Sequence, residues 1–141
     1  MSSSGGGGVA PVYHLPYVVR IKCKKDGTVI TGCDTYVGRA CTQGGWRLTT
    51  SEWANPFKVA EEGRGSAIEQ YEVYIREKIR SDPTKWLGYL VRMVSFGRPI
   101  SLGCFCKDKP DIPCHGDVIV KLAGEVIAML QQGSLSADKT L

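Results

Sequence analysis

The sequence lacks any run approaching the roughly 18 apolar residues needed to cross a bilayer. It also lacks a basic start followed by an apolar core and a small-residue cleavage site. These absences predict a soluble chain, neither secreted nor inserted in a membrane, with no membrane partner. No internal repeat is visible, which excludes solenoid and propeller architectures. No recognition-helix motif and no array of stacking aromatics is present, so nucleic-acid binding has only the strand of Arg20, Lys22, Lys24 and Lys25 to rest on. That strand reads more readily as a solvated edge than as a phosphate-binding stripe. The six cysteines do not make a disulfide scaffold, because helical and strand periodicity elsewhere already supplies a core. Reduced thiols are therefore the expectation, with metal ligation or reactivity as the exceptions.

What is present bounds the answer further. The 141 residues, 43% of them hydrophobic, suffice for one core and fall short of two ordinary domains. The formal charge of +4 leans toward anionic partners, yet acidic residues are interleaved along most of the chain. The start, Met-Ser-Ser-Ser followed by four glycines, has no apolar side chain after the initiator, so 1–12 reads as a disordered arm. Residues 13–133 read as one domain and 134–141 as a frayed tail.

Tyr17 to Lys22 alternates, and Asp26-Gly27 followed by Thr28-Val29-Ile30 predicts a hairpin return. Thr35-Tyr36-Val37 is a short strand that runs into a long irregular segment reaching Trp53-Ala54-Asn55-Pro56-Phe57, and loops of that length are more often functional than idle. Ser66 and Glu69 have capping-box spacing, with Ile68, Tyr71, Ile75 and Ile79 on one face, which predicts a helix ending at Ser81-Asp82. Asp82-Pro83 opens a second helix with Trp86, Leu87, Leu90, Val91 and Val94 as its buried stripe. The apolar run from Pro99 to Cys106 predicts a buried strand. A third helix follows, with Asp117 in its first turn, Val118, Ile119, Leu122, Val126, Ile127 and Leu130 on its apolar face, and Gly133 as its stop. The fold class is α/β: a small mixed sheet, an N-terminal hairpin and about three packed helices. An open hairpin edge makes self-association into a homodimer an expectation as well.

The chemistry-bearing residues gather around the end of that strand. Cys104 and Cys106 share a strand face about 7 Å apart at the backbone, while Phe105 packs on the other. The end of that strand and the helix start at Cys114-His115-Gly116-Asp117 are places where α/β domains build sites. Three readings stay open. Cys104, Cys106, Cys114 and His115 could supply a Cys₃His zinc shell, although their spacing is not a common zinc pattern. Cys114 could be a nucleophile activated at a helix N-terminus, with His115 as proton carrier and Asp117 as substrate orienter or plain helix cap. The same turn could instead hold a small anion, with Arg39 as the cationic side chain and Asn55 and Phe57 from the facing loop.

Tyr36-Val-Gly-Arg39, Trp53-Ala-Asn-Pro-Phe57, a Ser-x-x-Glu helix containing Tyr71, Leu102-Gly-Cys-Phe-Cys106 and Cys114-His-Gly-Asp-Val118 occur in this order. Together they resemble the family called domain of unknown function 4326, over about residues 17 to 132. The resemblance implies an intracellular protein of a bacterium, phage or large DNA virus, in the cytoplasm or nucleus of a host cell if viral, or packaged in the virion. It brings no activity with it. Arg39, Asn55, Phe57, Cys104, Cys106, Cys114, His115 and Asp117 fall on the family's motif positions. The chain departs in having Phe105 where a tryptophan is frequent, an extended Lys24 to Thr31 hairpin and a longer turn before Cys114. The leading functional expectation is a domain that binds or processes a nucleotide or other small anionic molecule. Its rival is a structural or interaction protein, such as a viral particle component, whose cysteines brace the fold or hold zinc.

Overall fold

The computed structural model describes residues 11–42, 44–57, 64–105 and 114–135. Along these the order is β1 (Tyr17–Arg20), β2 (Lys22–Cys23), β3 (Val29–Thr31), β4 (Thr35–Tyr36), α1 (Arg64–Ser81), α2 (Pro83–Val94), β5 (Ser101–Cys104) and α3 (His115–Gln131). The arm expected at the N-terminus falls largely outside the described residues, as do Cys106 and most of the expected tail.

The sheet is three-stranded in the order β1-β5-β4, and both ladders are parallel. Tyr17 lies opposite Ser101 and Arg20 opposite Cys104, while Thr35 and Tyr36 lie opposite Leu102 and Gly103. The hairpin exists, but it forms between β2 and β3 as a separate two-stranded ladder, and β1 is not part of it. The change of partner occurs at Ile21. Its N–H bonds to the Cys104 carbonyl at 3.1 Å and its side chain is buried, which extends the β1 ladder one step before the chain leaves. At the far end of the hairpin the Asp26 carboxylate accepts the Thr28 N–H at 2.9 Å, and Gly27 takes the left-handed φ of 93° that the turn requires. Arg20, Lys22, Lys24 and Lys25 are all exposed along this edge.

The central strand β5 is buried along its whole length, as a strand between two parallel neighbours should be. Its alternation divides the molecule. Leu102 and Cys104 belong to the hydrophobic core shared with the helices, whereas Gly103 faces Cys33 and Ile21. Both approaches to the third-helix end of the sheet demand glycine. A methyl at Gly103 would stand 2.3 Å from the Cys33 sulfur, and one at Gly116 would stand 2.8 Å from Val18 of β1. Asp34 fastens the opposite end, where its carboxylate receives both Arg98 guanidinium nitrogens at 2.8 and 2.9 Å and the Ser101 N–H at 2.8 Å.

The three helices pack on one another and on the core face of the sheet. α2 begins as expected: the Asp82 side chain accepts the Lys85 N–H and Pro83 occupies the first turn. α3 ends before Gly133, whose φ is 77°, and Ser134 and Leu135 both return N–H bonds to the Met129 carbonyl. α1 starts at Arg64, two residues before the expected cap. Ser66 therefore lies inside the helix and does not terminate it. The core joins Tyr71 and Ile75 of α1, Leu90, Val91 and Val94 of α2, and Ile119 and Val126 of α3 around Leu102. Burying each such aliphatic or aromatic side chain contributes about 1.5–3 kcal/mol. On the outer surface Arg76 bridges Glu72 and Glu125, and Lys121 reaches back to Glu72, tying α1 to α3. Among the described residues no helix is long and apolar enough to cross a membrane.

Candidate functional site

Cys104 is the last residue of β5, and the alternation of the strand turns its side chain toward the helices. Cys114 is the N-cap of α3, with extended backbone at φ −143° and ψ 149°. The two sulfurs lie 3.1 Å apart, and each residue is about 1% exposed. The convergence expected of this strand end and helix start is therefore real for Cys104 and Cys114, a close thiol pair among the described residues. Cys106, expected on the same face, lies outside the described residues.

The start of α3 is held by reciprocal capping. The Cys114 sulfur accepts the Gly116 N–H at 3.4 Å, and the Asp117 carboxylate accepts the Cys114 N–H at 3.0 Å. Asp117 thus performs the capping role that was one of its two expected roles. Its position in the first turn also complements the helix dipole.

His115 is buried one residue further on. Its Nε2 lies 2.7 Å from the Val37 carbonyl, and a carbonyl can only accept, so Nε2 carries the proton. In the neutral ring this leaves the Nδ1 lone pair facing the Cys114 sulfur at 3.9 Å. Neighbours at a helix start do not ordinarily face each other; here the Val37 carbonyl pulls the ring into a position where they do. Burial pushes the His115 pKa below its ordinary 6.5, against an opposing effect of the Val37 hydrogen bond, so the ring is neutral at pH 7. Tyr71 packs edge-on against His115 with ring centroids 5.2 Å apart. Its hydroxyl donates to the Trp53 carbonyl at 2.6 Å, and burial raises its pKa far above the ordinary tyrosine value.

Tyr71 connects this buried cluster to the loop expected to bind ligand. Arg39 reaches across that loop, donating from Nε to the Asn55 carbonyl at 2.7 Å and from Nη2 to the Phe57 carbonyl at 2.9 Å. The Asn55 side chain accepts the Phe57 N–H at 2.9 Å, an Asx turn, and Phe57 stacks edge-on against Tyr74 at 5.7 Å. The three expected ligand residues are brought together, and their first job is to hold one another.

Beside them opens a groove of about 560 Å³ between this loop and the helices α1 and α2. Arg39 and Asn55 line it, joined by Lys78, Lys85, Tyr74 and Trp86, none of which was expected at a site from the sequence. Lys78 stands 5.0 Å over the Tyr74 ring and 5.5 Å over Trp86, and Lys85 stands 5.4 Å over Trp86. The carboxylate here, Glu52, is paired with Lys85 at 2.9 Å and accepts the Tyr89 hydroxyl at 2.7 Å, and these bonds lower its pKa. The Tyr74-Lys78 spacing of four along one helix is the signal from which part of this groove could have been foreseen.

The expected zinc shell includes Cys106, which lies outside the described residues; among the described residues no group of three or more histidine, cysteine, aspartate or glutamate side chains is placed to hold a metal ion. Cys23, Cys33 and Cys41 are all partly buried and have no such grouping either.

A three-stranded parallel sheet with helices over its core face, a buried thiol pair at the strand-to-helix corner and a cationic groove beside it defines a small α/β domain. The family model described as Domain of unknown function (DUF4326) matches residues 19–125, and the chain belongs to that family. An uncharacterized protein of Acanthamoeba polyphaga mimivirus is 33% identical over 117 residues, covering 76% of this chain and 78% of that protein. No solved structure matches the chain.

Proposed function

We propose that the domain binds a small anionic molecule that also carries a ring, a nucleotide being the class that answers every wall of the groove. The observation that carries this reading is the convergence of Arg39, Lys78 and Lys85 on one open groove that also presents Tyr74 and Trp86. Phosphate oxygens suit ammonium and guanidinium groups, and a base suits an aromatic wall. Asn55 and Glu52 add hydrogen-bonding groups for a sugar or a base edge. Such a ligand fits an intracellular protein, as reduced thiols do.

Calorimetric titration of the full chain with nucleoside mono- and triphosphates, the parent nucleosides and inorganic phosphate tests this. A nucleotide is expected to bind more tightly than either its nucleoside or phosphate alone, and less tightly as salt rises. Lys78→Met is expected to weaken it about tenfold, equivalent to about 1.4 kcal/mol. Absence of binding across the panel, or binding that Lys78→Met leaves unchanged, refutes the reading.

The burial of Cys104 and Cys114 favours a second reading, in which the domain is a structural or interaction protein braced at this corner. A stable complex formed with a second copy or another protein, and no small ligand, supports that alternative.

A further inference from the structure

The thiol pair supports an inference that stands apart from the groove. We propose that Cys104 and Cys114 form a redox-active dithiol, closed to a disulfide by a small peroxide-class oxidant, which is reduced in the process. Three observations converge on it. The sulfurs are 3.1 Å apart, so closing to the disulfide length of about 2.05 Å needs only about 1 Å of side-chain movement. Cys114 lies at a helix N-terminus with the Gly116 N–H on its sulfur, and the Nδ1 of His115 faces it as a proton acceptor. Both residues are about 1% exposed, which bars a protein or a bulky disulfide from in-line attack and leaves small oxidants such as hydrogen peroxide.

The steps balance. The Cys114 thiol passes its proton to His115 Nδ1 and the sulfur attacks one peroxide oxygen. The O–O bond breaks, leaving Cys114 as a sulfenic acid, and the departing hydroxide takes the proton from His115 to become water. The Cys104 sulfur then attacks the Cys114 sulfur and displaces the hydroxyl, which leaves with the Cys104 proton as a second water. The two sulfurs together lose two electrons, and one peroxide becomes two waters. A dithiol reverses the change when local opening of this corner admits it, so reduction is slower than closure by peroxide. The disulfide joins the end of β5 to the start of α3, so the oxidised domain is the more rigid form.

The test uses the full chain, reduced and then titrated with hydrogen peroxide, with peptide mapping under non-reducing conditions. The expected result is a single link between Cys104 and Cys114, with the loss of two hydrogens, one peroxide consumed per link, and reversal by dithiothreitol. In Cys104→Ser the sulfenic acid on Cys114 should persist and add one oxygen to the mass of the Cys114 peptide, a signature that a purely structural thiol does not give. Cys33→Ser serves as the control and should still form the link. If a variant fails to fold, the map of the unaltered chain decides alone. A link from either sulfur to Cys106 overturns the proposal, as does oxidation of Cys23, Cys33 or Cys41 while the pair stays reduced. Stoichiometric zinc that co-purifies and shields both sulfurs overturns it as well.

Discussion

The Nε2 of His115 and the carbonyl of Val37 are 2.7 Å apart, and this one bond joins the first residue of α3 to the residue after β4. It fixes which ring nitrogen carries the proton and so which nitrogen faces Cys114. It also brings a titratable ring into the core, where burial favours the neutral form.

A pH dependence follows with a definite sign. The folded-state pKa of His115 lies below the ordinary 6.5, so between those two values the unfolded chain binds a proton that the folded chain refuses. The stabilisation is complete above pH 6.5 and is lost as pH falls through the folded value. The slope can reach at most about 1.4 kcal/mol per pH unit. Glu52, Glu72 and Glu125 are all held below their ordinary 4.5 by hydrogen bonds and ion pairs, so their loss begins at lower pH and is separable. Urea unfolding from pH 7.5 down to pH 5, as a rough window, should show the decline in the native chain. In His115→Gln, whose side-chain amide reaches the position of Nε2 and keeps a donor for Val37, the decline should be absent.

The glycines give a paired prediction. Gly103→Ala places a methyl 2.3 Å from the Cys33 sulfur and 2.7 Å from Ile21, against side chains held by the sheet. Overpacking of this kind costs about 1–3 kcal/mol. Gly124→Ala, on α3, meets nothing closer than Leu15 at 3.5 Å and replaces a poor helix former, so it should stabilise by about 0.5–1 kcal/mol. Opposite shifts of the denaturation midpoint are expected; a neutral Gly103→Ala would show that the sheet and the Cys33 segment are not in contact.

The buried hydroxyl of Tyr71 gives a third. Tyr71→Phe keeps the ring against His115 but strands the Trp53 carbonyl, which it now reaches at 2.6 Å. An unmet buried acceptor costs about 1–3 kcal/mol. Chemical denaturation should register that loss, and amide exchange should quicken in the segment from Ser51 to Phe57 that the bond anchors.

Much of this molecule is written locally in the chain. Asp82-Pro83, the apolar stripe of α2 and the short apolar strand before Cys114 are each recognisable within a dozen residues, and the structure places them as expected. The parallel pairing of β1 with β5 is not local: alternation shows that Tyr17 to Arg20 is extended, but it cannot say which distant strand receives it. The same limit governs the site. That strand end and helix start meet is readable from fold rules, whereas the 3.1 Å contact of Cys104 with Cys114 depends on where β5 places its core-facing side chains. The sequence offered His115 as a proton carrier beside Cys114, but not the Val37 carbonyl that turns the ring toward the sulfur, a backbone group that no motif records. Lys78, Lys85 and Trp86 escaped for a related reason, since helical periodicity assigns each to a face without revealing that the loop from Thr50 to Asn55 closes a groove over them.

The central claim is that this groove receives the ligand, and amide chemical-shift mapping of the labelled full chain during titration with a nucleoside triphosphate tests it most directly. The account predicts saturable shifts at Arg39, Ala40, Thr50 to Asn55, Lys78 and Lys85, with the β2–β3 hairpin unmoved. Shifts confined to Lys22, Lys24 and Lys25, or none at saturating nucleotide, would contradict it.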